Sequence, residues 1–213
     1  MVERVTFQTQ DKVTIVGDLY DGGSRFAILF HMMPETKESW RDFAEALVQK
    51  GYTVLAIDER GHGESTMGGA LDYRKFSDEE QQAKRFDVEA AFAYMELLGA
   101  KEETTVVIGA SIGANFALRF LAEHPKSPVA IALSPGLDYR GVKTKDAVEH
   151  LSLSQKAIVV ASTDDPESYK DTQVLVSSRP SQVTGVFLEK SGHGTQMFLK
   201  QPMLIDQLLT YLP

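Results

Sequence analysis

The chain has 213 residues, 43% of them hydrophobic and 9% aromatic, proportions that suit one globular domain with a sizeable core. Twenty-two Lys and Arg against 30 Asp and Glu leave a net charge of −8, which opposes binding to a phosphate backbone, and no Lys/Arg cluster overrides it, so nucleic acid is excluded as a partner. The absence of cysteine removes disulfides, thiolate metal sites and a cysteine nucleophile together.

Read from its start, MVERVTFQTQ lacks the apolar stretch of an export signal, and the longest apolar runs, FAILF and AIVVA, fall far short of a membrane span. A soluble, cytoplasmic protein without a membrane partner is the expectation. VERVTFQT and VTIVGDLY are β-rich and partly alternating, and the polar QDK between them predicts a hairpin. The rhythm then changes. RFAILF, YTVLAI, TTVVIG, PVAIALS, KAIVVAS and VTGVFLE are short, nearly continuous apolar runs, the pattern of strands buried on both faces in a parallel sheet. Between them KESWRDFAEALVQKG, DEEQQAKRFDVEAAFAYMELLG, SIGANFALRFLAEHP, DPESYKDTQVLVSSR and PMLIDQLLTYL carry helical periodicity, several ending at Gly or Pro. The alternation predicts a doubly wound, mostly parallel α/β sheet with an N-terminal antiparallel hairpin, residues 1–213 forming one domain, and a ligand crevice at the carboxyl ends of the strands.

One strand-to-helix junction reads Gly109-Ala-Ser111-Ile-Gly113. This is the setting of a nucleophile elbow, a sharp turn that forces its serine into strained dihedrals and needs glycines where a Cβ would clash. The plain alternative is a Gly-rich turn with an N-capping serine. A dinucleotide-binding loop is excluded, because it requires Gly where Ser111 stands and usually opens the first βα unit.

The tail of the chain supplies partners in the order that such an elbow requires, an acid and then a histidine. KAIVVASTDD ends a strand with Asp164 and Asp165, and VTGVFLEKSGHG ends the last strand with His193 between glycines. A carboxylate can orient an imidazole and stabilise its charged form while the imidazole takes the serine proton. Either aspartate fits, since DDPES is also a helix start in which one of them caps. Asp138, after the preceding strand, is a weaker third candidate. His31 and His62 read as loop braces, His124 as a helix-end residue, His150 as solvated, and Ser134 and Ser191 as structural.

On these residues the chain resembles the α/β-hydrolase superfamily along its whole length. The stretch from FAILFHMMP to DERGHGEST is similar to that superfamily's segment from its His-Gly oxyanion loop to its Asp-x-Arg-Gly-His-Gly-x-Ser motif, with Asp58, Arg60, Gly61, His62, Gly63 and Ser65 in place. His31 is present, and Met32 stands where the superfamily usually has Gly. The resemblance implies a catalytic triad of Ser111, Asp165 and His193, no metal and no organic cofactor. It implies oxyanion-hole donors at the backbone N–H groups of Ile112 and Met33, with Met32 as the substitute for Met33 if the Met-for-Gly exchange shifts the loop by one residue. The expected function is a serine hydrolase cleaving a small-molecule ester or thioester through an acyl-enzyme. The same triad would serve a cofactor-free perhydrolase, a C–C hydrolase or a peptidase, and the same fold a binding protein without turnover. Between Pro135 and Gln155 there is room for one short helix, from KDAVEHL, and none for a cap domain, which predicts an open mouth and a preference for short acyl groups.

Overall fold

A computed structural model describes residues 2–213. Strands β1 (Val2–Gln8) and β2 (Thr14–Tyr20) form the N-terminal antiparallel hairpin, registered from Val2 opposite Tyr20 to Gln8 opposite Thr14. The continuous apolar runs form β3 (Arg25–Phe30), β4 (Tyr52–Asp58), β5 (Thr105–Ala110) and β6 (Val129–Leu133). Two two-residue strands, β7 (Asp138–Tyr139) and β8 (Val142–Lys143), make a separate small hairpin before β9 (Lys156–Ser162) and β10 (Val183–Leu188) complete the set. The main sheet has eight strands in the order β1-β2-β4-β3-β5-β6-β9-β10. The first three strands of that order pair antiparallel, and every later pair is parallel.

The helices are α1 (Arg41–Gln49), α2 (Asp78–Gln82), α3 (Arg85–Leu97), α4 (Ile112–Glu123), α5 (Lys145–Glu149), α6 (Pro166–Ser178), α7 (Gln196–Lys200) and α8 (Met203–Leu209). Because successive strand residues face opposite sides, Ile28 and Phe30 pack with Val88 of α3, Phe116 of α4 and Leu175 of α6, whereas Ala27 and Leu29 pack with Phe43 of α1, Met197 of α7 and Leu208 of α8. The sheet is thus sandwiched between two helical layers, and β3, β4, β5, β6 and β9 are buried on both faces as their composition predicts, whereas β10, read from the sequence as another such strand, lies at the sheet edge and leaves Thr184 and Phe187 exposed. Among the described residues no helix is long and apolar enough to cross a membrane.

Two predicted helices differ in detail. The segment from Asp78 to Leu98 reads as one helix but breaks at Ala83 and Lys84. Neither residue is a helix breaker, and the break accompanies the burial of Lys84, whose Nζ lies 2.8 Å from Glu59 Oε2. After His193 the chain makes the extra helix α7 before Pro202 starts α8. The interval from Pro135 to Gln155 contains only the small hairpin and the five-residue α5.

Candidate active site

Ser111 stands between β5 and α4 with φ 56° and ψ −122°, a conformation that side chains rarely adopt. Its neighbours explain why the chain can turn there. A Cβ on Gly109 would sit 2.0 Å from the carbonyl oxygen of Gly113, and one on Gly113 would sit 2.5 Å from that of Phe30. Both clashes are with backbone, which cannot swing away, so glycine is required at both positions. The Ser111 N–H donates to the carbonyl of Leu133 on β6 at 2.8 Å, and its carbonyl accepts from Ala114 at 2.9 Å, so the strained residue is tied at both ends. The serine precedes the first turn of α4, where unpaired N–H groups and the helix dipole favour developing negative charge.

His193 and Asp165 come together across 28 residues. The imidazole Nδ1 lies 2.6 Å from Asp165 Oδ2, with the histidine about one third exposed and the aspartate less so. Donation from Nδ1–H leaves Nε2 with its lone pair, the form a general base needs. Asp165 occupies the N-cap position of α6, with Pro166 after it, yet its side chain makes no capping bond and is free for the histidine. Asp164 points elsewhere. Its carboxylate accepts from the Ser162 hydroxyl at 2.5 Å and from the Gly192 N–H at 2.9 Å. Those bonds, led by the one from Ser162, hold it down to about 2. Asp138 turns its carboxylate to the Gly141 N–H at 2.7 Å, closing the small hairpin, and does not approach His193.

The histidine loop and the elbow are neighbours. A Cβ on Gly194 would lie 3.3 Å from the Cβ of Ala110, which precedes Ser111, and 2.4 Å from the Met32 sulfur. Three strand ends therefore converge here, those of β3, β5 and β10. Among the described residues neither the Met33 N–H nor the Ile112 N–H donates a hydrogen bond, so both backbone donors are uncommitted. Met32 itself is buried and packs with the α1 and α7 side of the core. It also lines a cavity of about 230 Å³, together with Thr195, Phe198 and Leu199. Neither Ser111 nor His193 lines that cavity, which borders the site without enclosing it.

Beneath the loop from His31 to Glu35 lies a buried polar layer that braces it. His31 Nε2 accepts from the Glu59 N–H at 3.0 Å, and its Nδ1 donates to the carbonyl of Met32 at 3.0 Å. His62 Nδ1 lies 3.2 Å from the carbonyl of Glu35, and its ring stacks on Tyr73 with centroids 3.8 Å apart. Burial pushes both imidazoles down, His62 to about 2, so each stays neutral. His124 meets its own helix at the Phe120 carbonyl, 3.1 Å away, and His150 bonds the Asp146 carbonyl in an exposed position. Nothing in the sequence gives a partner to Ser134, whose hydroxyl accepts from the Gly194 N–H at 2.9 Å, or to Ser162. Strained dihedrals at Ser134, φ 51°, are invisible in a stretch that reads simply as strand end and turn.

A mostly parallel sheet with an antiparallel leading hairpin and a serine on a strained strand-to-helix turn after its central strand defines an α/β hydrolase. The chain belongs to the Hydrolase_4 family, described as serine aminopeptidase S33, whose match runs over residues 25–183. It is 32% identical over 118 residues to a non-heme haloperoxidase of Rhodococcus erythropolis, covering 54% of this chain and 38% of that protein. It is 27% identical over 172 residues to a putative non-heme chloroperoxidase of Synechocystis sp., covering 78% of this chain and 56% of that protein. A bifunctional esterase/perhydrolase of Acinetobacter calcoaceticus is 32% identical over 119 residues, 53% of this chain and 38% of that protein. The chain thus spans between 38% and 56% of the length of these relatives. In three dimensions an esterase of Pyrococcus furiosus superposes with a TM-score of 0.76 at 19% identity, over 100% of this chain and 90% of that one. The α/β hydrolase GrgF of Penicillium sp. does so with a TM-score of 0.80 at 16% identity, over 100% and 98%. At such identities these two share the fold.

Proposed function

We propose that this chain is a serine hydrolase that cleaves a small-molecule ester or thioester through an acyl-enzyme. The observation that carries the reading is an elbow serine at φ 56° whose strand end lies against the loop of a histidine with its Nδ1 2.6 Å from Asp165. In this mechanism Ser111 Oγ attacks the acyl carbonyl as His193 Nε2 takes its proton, and Asp165 stabilises the imidazolium. The N–H groups of Ile112 and Met33 receive the oxyanion. Collapse of the tetrahedral intermediate expels the alcohol or thiol with the proton from His193. Water, activated by the same histidine, then releases the acid and restores Ser111. Neither a metal nor an organic cofactor enters these steps.

The relatives named as haloperoxidases and as an esterase/perhydrolase favour a second reading of the same site. There hydrogen peroxide replaces water at the acyl-enzyme, the acyl carbon–Oγ bond breaks, and the product is a peracid rather than an acid.

The test is to treat the protein with a fluorophosphonate and to measure nitrophenyl ester hydrolysis with and without peroxide. Ser111 should label, and Ser111→Ala should stay folded by circular dichroism while turnover falls by about five orders of magnitude or more, because nucleophile and base act as one unit. A binding protein would not label. An Ser111→Ala variant that hydrolyses at the parent rate would end the assignment. Peracid formation exceeding hydrolysis at equal ester would select the second reading.

A further inference from the structure

His193 occupies a stretch of chain that has little reason to hold still. Gly192 and Gly194 flank it with φ of 84° and 57°, and Lys190 adds a third left-handed residue at φ 48°. Glycines on both sides of a residue widen the range of backbone states it must give up. The imidazole nonetheless has to meet Ser111 in one orientation, and its single side-chain bond, to Asp165, does not by itself fix the backbone beneath it.

Four backbone N–H groups of this loop donate to side chains at neighbouring strand ends, beginning with Lys190 N–H, which reaches Thr163 Oγ1 at 3.1 Å. Ser191 N–H reaches Ser162 Oγ at 2.7 Å, Gly192 N–H reaches Asp164 Oδ1 at 2.9 Å, and Gly194 N–H reaches Ser134 Oγ at 2.9 Å. Ser162 also donates its hydroxyl to Asp164 Oδ1 at 2.5 Å, which fixes the carboxylate that holds Gly192. On the other side Ser134 is fully buried, and its own N–H is tied to Val160 at 2.7 Å. Its φ of 51° is one that glycine would adopt without strain. A strained residue persists where its surroundings over-determine it, and here the hydroxyl that glycine lacks is what touches the histidine loop.

We infer that Asp164 and Ser134 are positioning residues that clamp the His193 loop from the ends of β9 and β6, on either side of the histidine. The inference rests on the triad reading above. Adjacent aspartates then divide one task, Asp165 holding the imidazole ring and Asp164 the backbone that carries it.

The two carboxylates predict opposite responses to the same conservative change. Asparagine retains an oxygen that accepts from Gly192 N–H and Ser162, so Asp164→Asn should keep kcat within about threefold of the parent. Asp164→Ala should lower kcat by about tenfold or more at nearly unchanged KM, since a displacement of about 1 Å at a catalytic group can cost a hundredfold. Asp165→Asn should not be rescued, because the amide cannot stabilise an imidazolium. Ser134→Gly removes the acceptor while relieving the backbone, so kcat and the rate of fluorophosphonate labelling should fall by a similar factor of about ten while the folding midpoint holds or rises. Parent-like kcat in both Asp164→Ala and Ser134→Gly, with Ser111→Ala inactive, would overturn the clamp and leave the triad standing. An active Ser111→Ala would instead remove the triad reading itself. Losses confined to the folding midpoint, or an Asp164→Asn as slow as Asp164→Ala, would also overturn the clamp.

Discussion

Ser111 shows at single-residue scale how a site can be held against local preference. Its φ of 56° with ψ −122° is a glycine conformation, and a side chain held there costs of order 1–3 kcal/mol. Alanine carries the same Cβ and so inherits the strain, whereas glycine escapes it and loses about 0.4–1 kcal/mol to the greater freedom of the unfolded chain. Ser111→Gly should therefore raise unfolding stability by about 1 kcal/mol and Ser111→Ala should leave it nearly unchanged, both without ester turnover. Urea unfolding monitored by tryptophan fluorescence, with Trp40 buried in the core, checks the ranking. Equal stability of the two variants would mean that the elbow is unstrained.

At the scale of elements, the loop after β4 works as a fastening rather than as chemistry. Asp58, at the end of that strand, is fully buried and accepts from the Lys37 ammonium, the Lys37 N–H and the Glu64 N–H, each at 2.9 Å. Arg60 joins Asp87 of α3 at 2.8 Å and Asp11 of the first hairpin at 2.7 Å, and Ser65 accepts from Val16 N–H of β2 at 2.9 Å. The motif thus binds β2, β4, α3 and the segment after β3 into one unit beneath His31 and Met32. Removing one member of a buried pair leaves the other charge uncompensated, at a cost of about 3–5 kcal/mol. Lys37→Met should destabilise by that amount in denaturant unfolding, and adding Asp58→Asn should recover part of it. If Lys37→Met unfolds at the parent denaturant concentration, the pair contributes nothing to holding these elements together.

For the molecule as a whole, the decisive feature is how little chain lies over the strand ends. Between β6 and β9 there are only the small hairpin and α5, and the hairpin is tethered sideways to α2 by Arg140 and Asp78 at 3.1 Å. The neighbouring cavity of about 230 Å³ is below the range of about 300–1,000 Å³ usual for sites that engulf a ligand. Each CH₂ left in water forgoes about 0.8 kcal/mol, so lengthening an acyl chain should add little to kcat/KM beyond a few carbons. A series of nitrophenyl esters should peak at short chains and show no jump in rate when the substrate forms micelles. An optimum at long chains would require another part of the protein to cover the site.

The strand runs and their alternation with helices were legible in the sequence because a strand buried on both faces must be apolar throughout, a property carried by neighbouring residues. The elbow was legible for the same local reason, since a turn this sharp needs Gly at 109 and 113 whatever surrounds it. Tertiary structure decided the rest. Which of two adjacent aspartates meets His193 depends on how the end of β9 and the start of α6 aim their side chains at a loop 28 residues away. The break before α3 falls where Lys84 turns inward to Glu59, 25 residues earlier in the chain, and carries no Gly or Pro to announce it. Ser134 acquires a role only when Gly194, 60 residues on, is packed against it. Periodicity and turn chemistry are written over a few consecutive residues, whereas hydrogen bonds between strand ends depend on the strand order, and that order exists only once the sheet has formed.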